Sequence, residues 1–391
     1  MTPRKWTLLL ASTLTVMSGA TISAALPLIG RTFADTPRAT FLTPLVLTVP
    51  ALFIALCSPL AGWLVDRFGR LRLLQLGLLL YAVGGVSGGL VASLYLLLAS
   101  RAVLGVAVAL VMTTAATLIA DYYSGEERSD LLGKQAAAMS LGGILFITGG
   151  GLLAELSWRA PFYVYLLSLT LLPLVWRTLE EPSTTGGGAA GGNSTVTSNA
   201  PGENYWPTAL LLFTTLFLAM VVFYLTPVFL PFLLEQFGVS SALTGLAVAG
   251  TTLSGAIASL NFARFRARLG PWRLLTLAFG LLGLGYVLVP LASSYLLVVV
   301  TVLISGFGLG FIMPDVNQEL MRIAPPGRRG RLLGILSTCL FLGQFASPLL
   351  ANPLIAAVGL ADTFAYAGGA GPTLRCPPRR WTVLNRPTAI A

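Results

Sequence analysis

The sequence has no histidine among its 391 residues. This absence excludes a catalytic triad, a general base or a metal site that depends on an imidazole. The three cysteines, Cys57, Cys339 and Cys376, lie far apart, so they form neither a CxxC pair nor a disulfide framework. A phosphate-binding GxxxxGK[ST] sequence is also lacking, which argues against ATP hydrolysis. We therefore expect no enzymatic activity, no cofactor and no metal site.

Charged residues are scarce as well. They make up 10% of the chain, whereas they make up about a quarter of a soluble protein. Hydrophobic residues make up 55%, so the composition predicts that most of the chain lies in a lipid bilayer. The formal net charge of +10 does not indicate nucleic-acid binding, because the basic residues form small clusters between apolar runs. That pattern is typical of a multi-pass membrane protein.

Eleven apolar runs are long enough to cross the bilayer, which takes about 20 helical residues. The predicted spans lie near 7–29, 42–64, 72–91, 95–119, 131–154, 160–178, 207–233, 241–262, 272–291, 294–316 and 330–352. The first run is longer than the core of a signal peptide, so we interpret it as a retained span. The sequence thus predicts an all-α membrane protein.

A twelfth span begins near Asp362 but supplies only residues 363–370 before the composition changes. The tail 371–391 is basic and proline-rich, and proline breaks a spanning helix. We therefore expect a truncated twelfth helix and a C-terminus outside the cell. A frameshift would produce such a change; a short natural tail is the alternative.

Residues 180–205 are rich in Gly, Ser, Thr and Asn, a composition typical of a flexible linker. The linker divides the chain into an N-terminal bundle of six helices, residues 1–179, and a C-terminal bundle, residues 206–370. The second bundle holds spans seven to eleven and the stump of the twelfth. The tail, residues 371–391, follows it.

The distribution of Lys and Arg predicts the orientation in the membrane. If the N-terminus is cytoplasmic, the outer segments before residue 360 hold only Arg31, Arg38 and Arg159. All other basic residues before residue 360, except Arg101 within span four, fall on the cytoplasmic side. Because cytoplasmic loops carry the excess of Lys and Arg, we expect a cytoplasmic N-terminus and a cytoplasmic linker.

The two halves of the chain repeat weakly. DRFGRLRLL at 66–74 matches ARLGPWRLL at 267–275, and each follows the second span of its half. The same offset aligns RSDLLG at 128–133 with RGRLLG at 329–334. Two matches at one offset predict a duplicated bundle with parallel repeats.

The strongest motif lies between spans two and three. Its glycines, carboxylate and arginines are Gly62, Asp66, Arg67, Gly69, Arg70 and Arg72. Glycines allow a tight turn between two helix ends, and a carboxylate is favoured at a helix N-terminus. A simple cytoplasmic loop with Gly and Asp is the alternative, but part of the motif recurs at the equivalent position of the second half.

This loop and the six-plus-six arrangement resemble the major facilitator superfamily, and within it the bacterial drug-efflux-like branch. The resemblance extends to about residue 366. It implies two pseudo-symmetric six-helix bundles that alternate between two open states. It also implies that Asp66 acts as a latch by docking on the start of the eleventh helix, at about Arg328 to Leu332. Arg67, Arg70 and Arg72 would hold the loop in place.

Arg101 and Gly105 in span four resemble a second motif of the family, Arg-x-x-x-Gly. An arginine inside a span is costly and indicates a functional role. The alternative is an arginine that reaches the outer headgroups or is bound to helix carbonyls. Gly105 would let another helix approach closely.

Span five carries Gly142, Gly150 and Gly151. Drug–proton antiporters of the family usually have a Gly-Pro pair in this span, and that pair falls here on Phe146-Ile147. The departure weakens the case for antiport without excluding efflux.

Asp315, about two turns inside the cytoplasmic end of span ten, is the best candidate for binding a coupling ion. A pairing with Arg322 near the helix end is the alternative. Polar residues expected in the central cavity are Thr21, Thr114, Tyr224, Asn317 and Gln344. Each Ser or Thr hydroxyl can instead bond to its own helix.

Together these features predict a monomeric secondary transporter of the bacterial inner membrane. We expect export of small amphipathic or hydrophobic organic compounds, driven by a proton gradient. The alternatives are uptake or uniport of a small metabolite, and an inactive, truncated transporter.

Overall fold

The computed structural model describes residues 1–182, 205–325 and 327–369, and these residues form helices without a β-strand. Eleven helical stretches are long and apolar enough to cross a membrane. These spans are Pro3–Thr32, Ala39–Phe68, Arg70–Leu90, Leu94–Tyr122, Gly125–Leu156, Ala160–Thr178, Trp206–Gln236, Ser241–Leu269, Pro271–Leu291, Tyr295–Ile323 and Arg329–Val358. Each predicted span falls on one of them, and most helices extend several residues beyond the predicted ends.

Several spans are interrupted. Span one consists of helices Pro3–Ala20 and Leu26–Thr32 with a 3-10 turn, Ser23–Ala25, between them. Span seven consists of helices Trp206–Phe223 and Leu225–Gln236. At the break in span one, the Ser23 hydroxyl bonds outside its own span, to the Pro227 carbonyl of span seven.

Spans six and nine also contain 3-10 turns. Span six begins with the turn Ala160–Leu166 and continues as the helix Leu167–Thr178. Span nine is the helix Pro271–Leu288 followed by the turn Val289–Leu291.

After span eleven a short helix, Leu360–Ala367, packs against spans nine and eleven. Its eight residues are too few to cross a bilayer. The predicted tail, 371–391, and linker residues 183–204 lie outside the described residues.

The spans pack as two halves. Spans one to six contact one another, as do spans seven to eleven. Spans two and eleven, and spans five and eight, pack against each other across the halves. We call the side that carries the ends of the linker, Glu181 and Tyr205, the linker end, and the other side the opposite end.

Glycine contacts repeat in three dimensions at the offset seen in the sequence. A Cβ on Gly84 of span three would lie 2.8 Å from the Leu104 nitrogen of span four. A Cβ on Gly285 of span nine would lie 2.7 Å from the Ser305 nitrogen of span ten. The offset of the sequence repeat relates Gly84 to Gly285 and Leu104 to Ser305, so the duplicated sequence folds into equivalent packing.

A second pair of glycine contacts is related by the same offset of the sequence repeat. A Cβ on Gly105 would lie 2.6 Å from the Pro50 oxygen, and a Cβ on Gly306 would lie 2.5 Å from the Thr251 oxygen. Because lipid offers helices no hydrophobic gain on association, backbone contact at small residues holds such bundles together.

We expect Gly84→Val and Gly285→Val each to lower stability by about 1–3 kcal/mol, because the added side chain overlaps the neighbouring backbone. The control is Gly133→Ala in span five, where a Cβ meets nothing within 4 Å. Thermal unfolding in detergent measures the effect. Equal melting temperatures for all three variants would show that the contacts are not tight.

Candidate functional site

A cavity of about 440 Å³ lies between the two halves. Met139, Met313 and Ser337 line it from the linker-end halves of spans five, ten and eleven. Its described lining contains no charged side chain. The site therefore suits a molecule that is largely apolar, and flexible methionine side chains can adapt to different shapes.

Two of the predicted cavity residues, Tyr224 and Gln344, line this space. Neither the phenol of Tyr224 nor the amide of Gln344 hydrogen-bonds to another side chain or backbone group in the described part of the chain. The hydroxyls of Thr15 and Ser18 also line it but donate to the carbonyls of Ser12 and Thr15 in their own helix. The phenol and the amide thus remain available to a bound molecule.

The other three predicted cavity residues lie outside the lining. The Thr21 hydroxyl donates to the Met17 carbonyl, 2.9 Å away, and the Asn317 amide donates to the Met313 carbonyl at the same distance. Thr114 is buried, and its hydroxyl has no partner among the described residues. These three residues lie on spans one, four and ten, and the rotation of those spans turns their side chains away from the cavity.

The loop between spans two and three is a one-residue turn at Gly69. Gly69 has φ +94°, a conformation that favours glycine, and a Cβ there would lie 3.1 Å from a Glu181 carboxylate oxygen. That carboxylate accepts the backbone N–H groups of Arg70 at 2.6 Å and of Leu71 at 2.9 Å. The anion at the start of span three is therefore Glu181, from the first residues of the linker, and sequence reasoning did not single it out.

The three arginines of the loop have different surroundings. Arg70 pairs with Asp121 at the end of span four, with 3.1 Å between Nε and Oδ2. Arg67 lies over the Trp63 ring, 5.4 Å from its centroid. Arg72 is exposed. Gly62 is half-buried, and a Cβ there would reach only Thr113, at 4.0 Å.

Asp66 does not touch the start of span eleven in this structure. Its side chain is 76% exposed and lies 3.9 Å from the Arg70 guanidinium. Arg328 instead donates to the Tyr205 phenol, 2.9 Å away, within the C-terminal half. Among the described residues, the halves share no hydrogen bond or ion pair at the linker end. Asp66 and the start of span eleven, the expected latch partners, are therefore not in contact. The latch stays a prediction for a state that is closed there.

The halves are joined at the opposite end. Arg31 pairs with Glu235, with 2.7 Å between Nη2 and Oε1. The Ser23 hydroxyl donates to the Pro227 carbonyl at 2.5 Å. These contacts close the cavity on the side away from the linker.

Arg101 is fully buried between spans three, four and six. Its Nη2 donates to the carbonyls of Gly84 and Gly85, 2.9 and 2.7 Å away, and the guanidinium lies about 5 Å from the ring centroids of Phe162 and Tyr165. It does not line the central cavity. The structure thus has the carbonyl-bound arrangement that the sequence left as an alternative.

The glycines of span five make close contacts in two directions. Gly142 and Gly150 face span one, where a Cβ on Gly142 would lie 3.1 Å from the Thr13 Cβ and one on Gly150 would overlap the Thr21 backbone. A Cβ on Gly151 would lie 3.1 Å from the Gly245 Cα of span eight. Gly151 therefore belongs to the contact between the halves.

Asp315 belongs to a buried ion cluster rather than to the cavity. It pairs with Arg266 of span eight, which also contacts Glu319 at 2.9 Å. Arg322 pairs with Glu319 at 2.5 Å, and not with Asp315. The sequence indicated Asp315 either as an ion-binding carboxylate or as a partner of Arg322. It did not indicate Arg266, because Arg266 lies on a different span. Glu319 lies one helical turn after Asp315, and this pair of carboxylates in one span could have indicated a basic partner on another span.

The sequence is similar to a family of known proteins. A family model described as Major Facilitator Superfamily matches residues 8–348. Multidrug resistance protein 1 of Bacillus subtilis is 28% identical over 337 residues, which are 80% of this chain and 84% of that protein. The class C tetracycline resistance protein of Escherichia coli is 26% identical over 344 residues, 85% of each chain.

A third resistance protein and a solved transporter structure are also similar to this chain. Quinolone resistance protein NorA of Staphylococcus aureus is 26% identical and covers 78% of each chain. A D-xylose–proton symporter has the same fold, with a TM-score of 0.72 at 15% identity over 94% of this chain and 96% of that chain. At that identity the likeness concerns the fold alone, and it confirms the predicted all-α architecture of two helical bundles.

We expect Arg101→Lys to lower stability by about 2–4 kcal/mol, because an ammonium cannot reach both carbonyls and both rings from one position. Arg159→Lys is the matched control, since Arg159 lies exposed beside Trp158 at the opposite end. Chemical unfolding in detergent measures both. A variant as stable as the parent would contradict a structural role for Arg101.

We expect Arg266→Ala to cost about 3–5 kcal/mol, because it leaves two buried carboxylates without their shared partner. Arg268→Ala, an exposed position on the same helix, serves as the control. The melting temperature of each purified variant decides, and equal losses would rule out a special role for the cluster.

Proposed function

The chain belongs to the Major Facilitator Superfamily, whose members are membrane transporters and not enzymes, and we propose that it exports small, uncharged amphipathic organic compounds. The observation that carries this proposal is the cavity between the halves, which is apolar apart from hydroxyls and the groups of Tyr224 and Gln344. A charged molecule would lose its hydration there without gaining a counter-charge. An uncharged molecule with a hydrogen-bonding group would lose little.

The proposed direction of transport rests on the matched relatives. With the linker end in the cytoplasm, as the distribution of Arg and Lys favours, this structure is open to the cytoplasm and closed on the outside. An exporter loads its substrate in such a state, and an importer releases its substrate there. The matched relatives named for resistance to drugs, tetracycline and quinolones support export over uptake.

The proposed energy source is a proton gradient across the bacterial inner membrane, and the functional unit is a monomer. The Arg266–Asp315–Glu319 cluster pairs charges within the C-terminal half, and Arg101 binds backbone carbonyls within the N-terminal half. Each half can therefore move as a rigid body. Alternating access then consists of breaking the contacts at one end and making contacts at the other.

An efflux assay tests the proposal. In drug-sensitive bacteria that express the chain, we expect loss of uncharged amphipathic dyes from preloaded cells, and a protonophore should stop it. A permanently cationic dye of similar size should stay inside. Protonophore-insensitive efflux would indicate uniport, and no efflux of either dye would indicate an inactive transporter.

Cavity variants make the assay specific. We expect Tyr224→Phe and Gln344→Leu each to reduce efflux of a hydrogen-bonding dye about 5- to 20-fold, as the loss of one bond in an apolar site implies. Tyr95→Phe and Gln318→Leu, exposed positions outside the cavity, are the controls. Equal rates in all four variants would show that the substrate binds elsewhere.

A further inference from the structure

Among the described residues, two carboxylates connect the halves, and both lie at the opposite end. Glu235 of span seven pairs with Arg31 of span one at 2.7 Å. Glu155 of span five accepts the backbone N–H of Ala242, 3.2 Å away, in the first turn of span eight. The Glu235 pair is an ion pair, so its strength depends on the charge of one carboxylate.

The Glu235 pair faces the outside and not the substrate cavity. Glu235 and Arg31 both line a separate cavity of about 650 Å³ at the opposite end, and neither lines the central cavity. The side chain of Glu235 is 28% exposed and that of Arg31 is 69% exposed. Water from the opposite side can therefore bring a proton to Glu235 in the state described here.

Few other charged groups lie around Glu235. Arg38, at the start of span two, lines the same outer cavity. Span eight contributes Ser240, Ser241 and Thr244 to the adjoining pocket, and span eleven contributes Asn352. Asp362, on the short helix after span eleven, is outside the lining of both pockets. The charge that opposes Glu235 directly is thus that of Arg31.

We propose that Glu235 is a proton-binding switch through which the external pH controls opening of the opposite end, and that the proton returns to the outside when the external pH rises. A proton from outside adds to a Glu235 carboxylate oxygen and forms a neutral acid, and the ion pair with Arg31 becomes at most a neutral-to-charged hydrogen bond. The closed end loses part of its stabilisation, and the halves separate there. Low external pH opens this end, and high pH closes it.

The buried cluster at the linker end cannot perform the same task. Asp315, Glu319, Arg266 and Arg322 all belong to the C-terminal half. Protonation of Asp315 would change contacts inside one body and would not directly change the contacts between the two bodies. Glu235 instead opposes a charge on the other body, so its protonation acts on the movement itself.

This inference extends the proposed export by naming what controls opening of the opposite end, and its test does not require a substrate. Spin labels are placed at Ala92 and Ser293 in a cysteine-free background, and their distance is measured in lipid nanodiscs. Both positions are exposed at the opposite end, one in each half, and are related by the offset of the sequence repeat. We expect the long-distance population of the parent to rise about 2- to 5-fold between pH 7.5 and pH 5, as loss of one partly exposed ion pair implies.

Three variants and a control complete the test. Glu235→Gln should show the long-distance population at both pH values, and Arg31→Gln should do the same, since each removes the pair from one side. Asp35→Asn, which removes an exposed carboxylate at the same end, should respond to pH like the parent. The charge exchange Arg31→Glu with Glu235→Arg should restore the short distance at pH 7.5.

The outcomes separate this inference from the proposed function. A parent distance that ignores pH, or a Glu235→Gln variant that still responds like the parent, would overturn the inference even if the dye assay shows proton-driven efflux. A pH response abolished by Glu235→Gln would support the inference even if the dye assay fails, and the proposed export would then be wrong.

Discussion

Close contact between helix backbones at glycine holds this bundle together and sets where its polar groups lie. Lipid surrounds apolar helices as favourably as other helices do, so the bundle is held by backbone approach and polar pairing. Gly84 and Gly105 provide that approach in the first half, and Gly285 and Gly306 provide it in the second. The same contacts place polar groups, because Arg101 reaches two carbonyls only where spans three and four come close.

The charges divide into those paired within a half and those paired between halves. The cluster around Arg266 belongs to the first kind, and burial makes separation of its charges costly. Arg101 is also buried and bonded within one half, but its partners are backbone carbonyls. The Arg31–Glu235 pair belongs to the second kind and is partly exposed, so breaking it costs less. Strong pairing inside each body and weak pairing between bodies is the distribution that a rocking movement requires.

The substrate site and the proposed proton site are separate in this arrangement. The central cavity carries no charged side chain in its described lining, and Glu235 faces a different cavity at the opposite end. A substrate and a proton would therefore communicate through the relative position of the two halves, not by competing for one carboxylate. Uncharged substrates fit such a design, because they need no carboxylate in the cavity.

The spans and their number follow from the sequence alone, because a bilayer requires about 20 apolar residues per crossing and such runs are visible without a structure. The twofold repeat follows from two sequence matches at one offset, and the Gly62–Arg72 loop was also visible as a motif. Which polar groups meet depends on how the helices pack in three dimensions. Arg31 and Glu235 lie in different halves of the chain, and Arg266 and Asp315 lie on different spans, so no local pattern pairs them. The rotation of each helix was also hidden, since spans apolar on nearly every side do not reveal which face meets the cavity. Tyr224 therefore lies in the cavity while Thr21 and Thr114 do not.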